Sequence, residues 1–130
     1  MASIRREILI DASVTDVWDA IRDVGALPRL VPGFVVAARL EEGARVVTFA
    51  NGLVARELIV DVDDAGRRLV WAVVGSPRLT HHNASVQVLA DDERRSRVVW
   101  IADLLPHEMA AAIAGMMEQG LGAMKKALER

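Results

Sequence analysis

The chain has 130 residues, no cysteine, a formal net charge of −2 and 52% hydrophobic residues. That is the length of one ordinary domain, here taken as residues 1–130, and a globule of this size buries about two thirds of its unfolded surface without disulfide or metal staples. The numbers exclude a disulfide framework, a thiolate zinc site and a cysteine nucleophile, they offer no apolar run near the about 18 residues of a membrane helix, and a weakly acidic balance without a basic stripe argues against a nucleic-acid partner. Residues 3–10 alternate loosely and predict a strand. Ser13 stands where a cap would, with Asp16 in the place of a capping-box acid. Val14, Val17, Trp18 and Ile21 follow at helical spacing, so a short amphipathic helix runs toward Gly25. Residues 26–31 read as a second short helical turn, stopped by Pro32-Gly33.

From Phe34 the pattern becomes β-rich in six segments, 34–41, 45–50, 53–62, 68–74, 79–90 and 95–104. Turn chemistry separates them: Glu42-Gly43, Asn51-Gly52, Asp63-Asp64-Ala65-Gly66, Gly75-Ser76-Pro77 and Asp91-Asp92-Glu93. Asn51-Gly52 predicts a type I′ turn, because both residues accept positive φ. The short gaps predict an antiparallel meander. Pro106 opens a last segment in which Met109, Ile113, Met116, Met117, Leu121, Met124 and Leu128 recur at spacings of three and four. A long C-terminal helix with a Met-rich face follows, its last turn carrying Lys125, Lys126 and Arg130. Gly115, Gly120 and Gly122 weaken it by about 1 kcal/mol each against Ala, so packing must compensate. Seven antiparallel strands need one face buried, and only this helix is long enough to cover them. The class is therefore α+β, a curved sheet gripping a helix.

This order, carried by particular residues, resembles the START-like superfamily, also called SRPBCC, in its polyketide cyclase/dehydrase branch. Ile10-Asp11-Ala12-Ser13-Val14-Thr15-Asp16-Val17-Trp18-Asp19-Ala20-Ile21 is similar to the family's opening strand and helix, with Ser13 where Pro is frequent. Arg56-Glu57-Leu58 and the stretch from Asp63 to Trp71 are similar to its fourth and fifth strands. Thr80-His81-His82-Asn83-Ala84-Ser85 and the stretch from Val99 to Pro106 resemble one uncharacterised bacterial subgroup. Gly52-Leu53 and Arg78-Leu79-Thr80 also resemble the gate and latch of plant abscisic acid receptors. The resemblance implies the helix-grip fold: a seven-stranded curved sheet around the C-terminal helix, two short helices after the first strand, and an internal cavity. Members bind lipids, hormones and aromatic or polyketide compounds, and some catalyse cyclisation or dehydration. Fold follows from this more firmly than function.

Parity along the strands selects the candidate site. In residues 79–90 the apolar set Ala84, Val86 and Val88 should face inward with His82, and His81 outward. Adjacent strand histidines cannot share one metal, and no metal or cofactor is signalled. The turn at Gly75-Ser76-Pro77 sets Trp71 opposite His81 or His82, and the resemblance to the plant receptors favours His82, which implies Trp71 and Val73 facing in. The turn near Asp92 leaves two registers, one placing Asp103 across from His82 and one across from Asn83 on the outer face. For Glu57, parity with Leu58, Val60 and Val62 argues outward, whereas the resemblance implies a carboxylate lining the cavity. A His82–Asp103 pair, with or without Glu57, would fix the imidazole tautomer and raise its basicity. Trp18 and Trp100 read as packing residues.

The leading expectation is a small hydrophobic ligand, lipid, aromatic or polyketide-like, in a cavity between sheet and helix. Its body would touch Trp71, Val73, Ala84, Val86, Ile113, Met117 and Met124, and its polar groups His82, Glu57 and Asp103. The rivals are an aromatase/cyclase or dehydratase using His82 as acid/base, with Asp103, and a ligand-gated interaction module. The chain starts without an apolar signal core, so a cytoplasmic location is expected, with a homodimer left open. The 20 Ala and 18 Val, against 2 Phe, 3 Trp and no Tyr, suggest that small residues such as Val73, Ala84, Val86 and Gly120 line a space that rings would otherwise fill.

Overall fold

The computed structural model describes residues 2–129. Met1 and Arg130, the latter expected in the basic final turn, lie outside the described residues. Seven strands form one antiparallel sheet: β1 (Ala2–Ile10), β2 (Val35–Glu41), β3 (Ala44–Phe49), β4 (Val54–Asp63), β5 (Arg68–Val74), β6 (His81–Asp92) and β7 (Arg95–Leu105). Between β1 and β2 stand α1 (Val14–Arg22), a 3-10 turn (Val24–Ala26) and α2 (Leu27–Leu30). After β7 comes a 3-10 turn (His107–Met109) and the long helix α3 (Ala110–Leu128). Strands β2 to β7 form the expected meander, and β1 adds itself to β7 at the far edge.

Local chemistry accounts for the element ends. The Ser13 hydroxyl accepts the Asp16 N–H at 3.2 Å and caps α1. Trp18 donates through Nε1 to Asp64 at 2.9 Å, and Arg22 donates to the same carboxylate at 2.7 Å. Those bonds tie α1 to the β4–β5 turn. The Asn51-Gly52 turn differs from the expectation. Gly52 has φ +89 while Asn51 stays at negative φ, so this is not type I′. Phe49 and Leu53 pair across a three-residue loop, and the Asn51 side chain accepts the Leu53 N–H. A single positive-φ glycine is what that longer loop requires.

The helix α3 buries Met117, Gly120, Leu121 and Met124 against the inner face of the sheet. At Gly120 the helix stands close to the wall: a Cβ there would lie 2.9 Å from the Trp100 ring and 3.3 Å from Phe34. At the helix end Lys125 donates to the Leu9 carbonyl at 2.9 Å, fastening α3 to β1. Ile10, Val17, Val98, Leu104 and Met117 are fully or almost fully buried.

Register corrects three expectations. On β5 and β6, Trp71 stands opposite Ala84 rather than His81 or His82, because the connection is longer than a tight turn and β6 begins at His81, not Leu79. The parity is unchanged, so Trp71 still faces in. On β6 and β7, His82 is opposite Leu104 and Asn83 is opposite Asp103. Asp103 therefore lies on the outer face, and the His82–Asp103 pair does not form. On β4 the pairing with β5 shifts between Ile59 and Asp61, leaving Val60 unpaired and exposed. A bulge of this kind reverses the faces beyond it. Leu58 and Val62 thus belong to opposite faces, and Glu57 is turned inward with its neighbours Ala55 and Ile59.

Candidate functional site

Between α3 and the concave side of β2 to β7 lies a cavity of about 680 Å³. Small-molecule sites usually measure roughly 300–1,000 Å³. Its walls are mostly apolar: Val73 and Val86 from the sheet, Ile113, Met116, Met117 and Met124 from α3. Four of the five aromatic rings, Phe34, Phe49, Trp71 and Trp100, also line it. Trp71 was expected on this wall, whereas Phe34, Phe49 and Trp100 were not, and Trp100, read as a packing residue, belongs to it. The rings pack on each other, Phe34 edge-on to Phe49 at 5.3 Å and Trp71 tilted to Trp100 at 5.7 Å. They form a stiff shell around the space rather than filling it. Ala84 is buried in the core beneath the wall and does not line the cavity.

Polar groups on the wall follow one row across the sheet. Arg45 on β3 is directly opposite Glu57 on β4, and Glu57 is opposite Val73 on β5. The Val73 N–H donates to Nδ1 of His82 on β6 at 3.2 Å. Arg45 Nε donates to Glu57 Oε1 at 2.8 Å, with both side chains almost wholly buried. Arg45 also donates to the Val24 carbonyl at 3.3 Å, and its guanidinium stands 5.6 Å from the Trp71 ring centroid. A buried charge needs such company, here a carboxylate, a carbonyl and a π face.

Burial pushes the Glu57 carboxyl above its ordinary range, and the Arg45 guanidinium pulls against it. Burial, and then the neighbouring His81 charge, hold the His82 imidazole below its ordinary range. The Asp103 carboxylate, on the outer face, pulls the other way but is outweighed. With Nδ1 accepting a backbone N–H, the neutral ring carries its proton on Nε2. Nε2 then offers a donor to the cavity. The lowered value has a consequence for stability. The unfolded chain takes up the histidine proton near its ordinary value of about 6.5, while the fold resists it, so stability falls as pH drops below that point. Glu57 acts in the reverse sense, the raised carboxyl favouring the fold as pH falls. The variant His82→Gln should show less loss than the parent between pH 6.5 and 5 in urea unfolding. Parallel curves would mean that His82 is not held neutral.

Of the residues expected at the site, Glu57, Trp71, Val73, His82, Val86, Ile113, Met117 and Met124 line the cavity, whereas Ala84 and Asp103 do not. Arg45 escaped the sequence reading. Its parity with the fully buried Val47 was the available signal. Leu53, Val54, Ser76, Arg78 and Leu79 stand at the cavity too, so the loops after β3 and β5 both reach it. Among the described residues no group of three acidic, His or Cys side chains could hold a metal, and no helix is long and apolar enough to cross a membrane.

A curved seven-stranded sheet closed on a long C-terminal helix over an internal cavity is the helix-grip arrangement of START-like proteins. The chain belongs to the family described as polyketide cyclase / dehydrase and lipid transport, whose model matches residues 1–129. A solved structure of an uncharacterised protein from Bacillus thuringiensis is 22% identical with a TM-score of 0.89, covering 98% of each chain. The di-domain ARO/CYC BexL of the BE-7585A biosynthetic pathway is 18% identical with a TM-score of 0.87, covering 99% of this chain and 47% of that one. A norcoclaurine synthase point mutant of Thalictrum flavum, in complex with a transition state analogue, is 18% identical with a TM-score of 0.75, covering 98% and 93%. At these identities the likeness is one of fold. No curated protein matches the chain.

Proposed function

We propose that the protein binds a small hydrophobic molecule, with an aromatic or acyl body, in the cavity between sheet and helix. The observation that carries this reading is the combination of an apolar space of about 680 Å³ with a short row of polar groups on one wall. Apolar surface moved out of water there gains about 25 cal/mol per Å² before the costs of association. The Met side chains of α3 suit ligands of varied outline. The family description and the ARO/CYC neighbour are consistent with either binding or cyclase chemistry.

Binding is favoured over catalysis by His82. A base at His82 would have to accept a proton at Nε2, which already bears the ring's hydrogen. The imidazolium would set an Nδ1–H against the Val73 N–H. The geometry suits a donor that orients a ligand. Native mass spectrometry of freshly purified protein, together with titration by the neutral dye Nile red, tests the reading. A retained small molecule, or saturable dye uptake that the retained molecule blocks, is expected. Protein that carries nothing and takes up no dye would overturn it.

A further inference from the structure

We propose that the cavity selects a neutral ligand bearing a hydroxyl and a carbonyl at opposite ends, and discriminates against the corresponding free carboxylate. The inference rests on the small-molecule reading above and specifies the ligand class. It follows from the charge and spacing of the polar row. Arg45 and Glu57 face each other across β3 and β4 with a 2.8 Å hydrogen bond, so the pair carries no net charge. His82 is neutral because its Nδ1 accepts the Val73 N–H. The cation on this row is therefore held in an ion pair, with Nε on Glu57 and Nη1 on the Val24 carbonyl. A ligand carboxylate would lose its water there, meet a guanidinium already engaged, and be repelled by Glu57.

The groups left over are of a different kind. Arg45 takes Glu57 Oε1, and among the described residues Oε2 has no hydrogen bond. That oxygen accepts, which suits a ligand hydroxyl. His82 Nε2–H donates, which suits a carbonyl. The two residues lie two strand steps apart, on β4 and β6. With β5 between their strands, the two groups address different parts of one ligand. At the mouth Arg39 and Arg56 both bond Glu41, at 2.6 and 3.2 Å, and Arg78 is exposed to water. Solvent screens these charges, so they do little for an anion deep inside.

Three probes of matched shape separate the contributions: 6-acetyl-2-naphthol, 6-ethyl-2-naphthol and 6-hydroxy-2-naphthoate, titrated by calorimetry at neutral pH. The wild type should bind the acetyl compound about tenfold more tightly than either of the others, the value of one well-placed buried hydrogen bond or one avoided unpaired charge. His82→Phe should abolish the preference for acetyl over ethyl. Glu57→Gln should release Arg45 and shift the preference toward the naphthoate by about tenfold. Should Glu57→Gln fail to fold, the wild-type ranking and His82→Phe still decide. Binding of all three with equal affinity, or tightest binding of the naphthoate, overturns the inference while leaving the small-molecule reading intact. Binding of none overturns both.

Discussion

Arg45→Met, with Glu57 left in place, should cost the fold about 3–5 kcal/mol, because removing one partner strands a buried charge. The side chains of Arg45 and Glu57 are only 4% and 8% exposed, so water cannot take over the lost contact. The change also removes the stacking of the guanidinium on Trp71 and its bond to the Val24 carbonyl. The double variant Arg45→Met with Glu57→Leu should regain most of that loss, within about 1 kcal/mol of the parent or better, since apolar replacements of buried ion pairs are often neutral or stabilising. Urea unfolding with an unchanged m value measures both. A double variant as unstable as the single one would mean that the pair is an integral part of the core. The expected recovery would mean that it is retained for what it offers the cavity. The folded double variant should then bind Nile red and lose its discrimination between 6-acetyl-2-naphthol and 6-hydroxy-2-naphthoate.

How far the sequence disclosed this site depends on the regularity of each strand. His82 could be placed from alternation because β6 runs without interruption from His81 to Ala90. Glu57 could not, because the stretch Leu58-Ile59-Val60 is apolar on both faces and the bulge at Val60 leaves no mark in it. Family likeness implied a cavity-lining carboxylate at Glu57 where parity argued outward. Asp103 depended on one residue of register across a hairpin that itself shifts between Ala90 and Asp92. No local pattern decides such a slip. Arg45 was legible in principle, two residues before the buried Val47, but arginine is usually exposed and a buried one is inferred only once its partner is known. The fold was easier than the site because turn residues and helical spacing act locally, whereas the row from Arg45 to His82 exists only after four strands have paired.

Ile113→Trp should abolish ligand binding while leaving the protein at least as stable. Ile113 lines the cavity from α3 and is only partly buried, so a larger side chain has space rather than neighbours in front of it. Overpacking a filled core costs about 1–3 kcal/mol, but here the indole would enter an open volume of about 680 Å³ and bury apolar surface at about 25 cal/mol per Å². The wall already holds four of the chain's five rings, and a further ring from the helix meets them where the body of a ligand would lie. The loss of Nile red uptake should exceed tenfold, and the melting temperature should hold or rise. The two readouts moving in opposite directions is the signature of a cavity kept open for an occupant, since a space that is merely badly packed has no binding to lose when it is filled. An Ile113→Trp protein that takes up dye as the parent does would place binding elsewhere. One that unfolds would show that α3 closes down on the sheet in solution and that the residues rich in Ala and Val serve close helix-to-sheet packing instead.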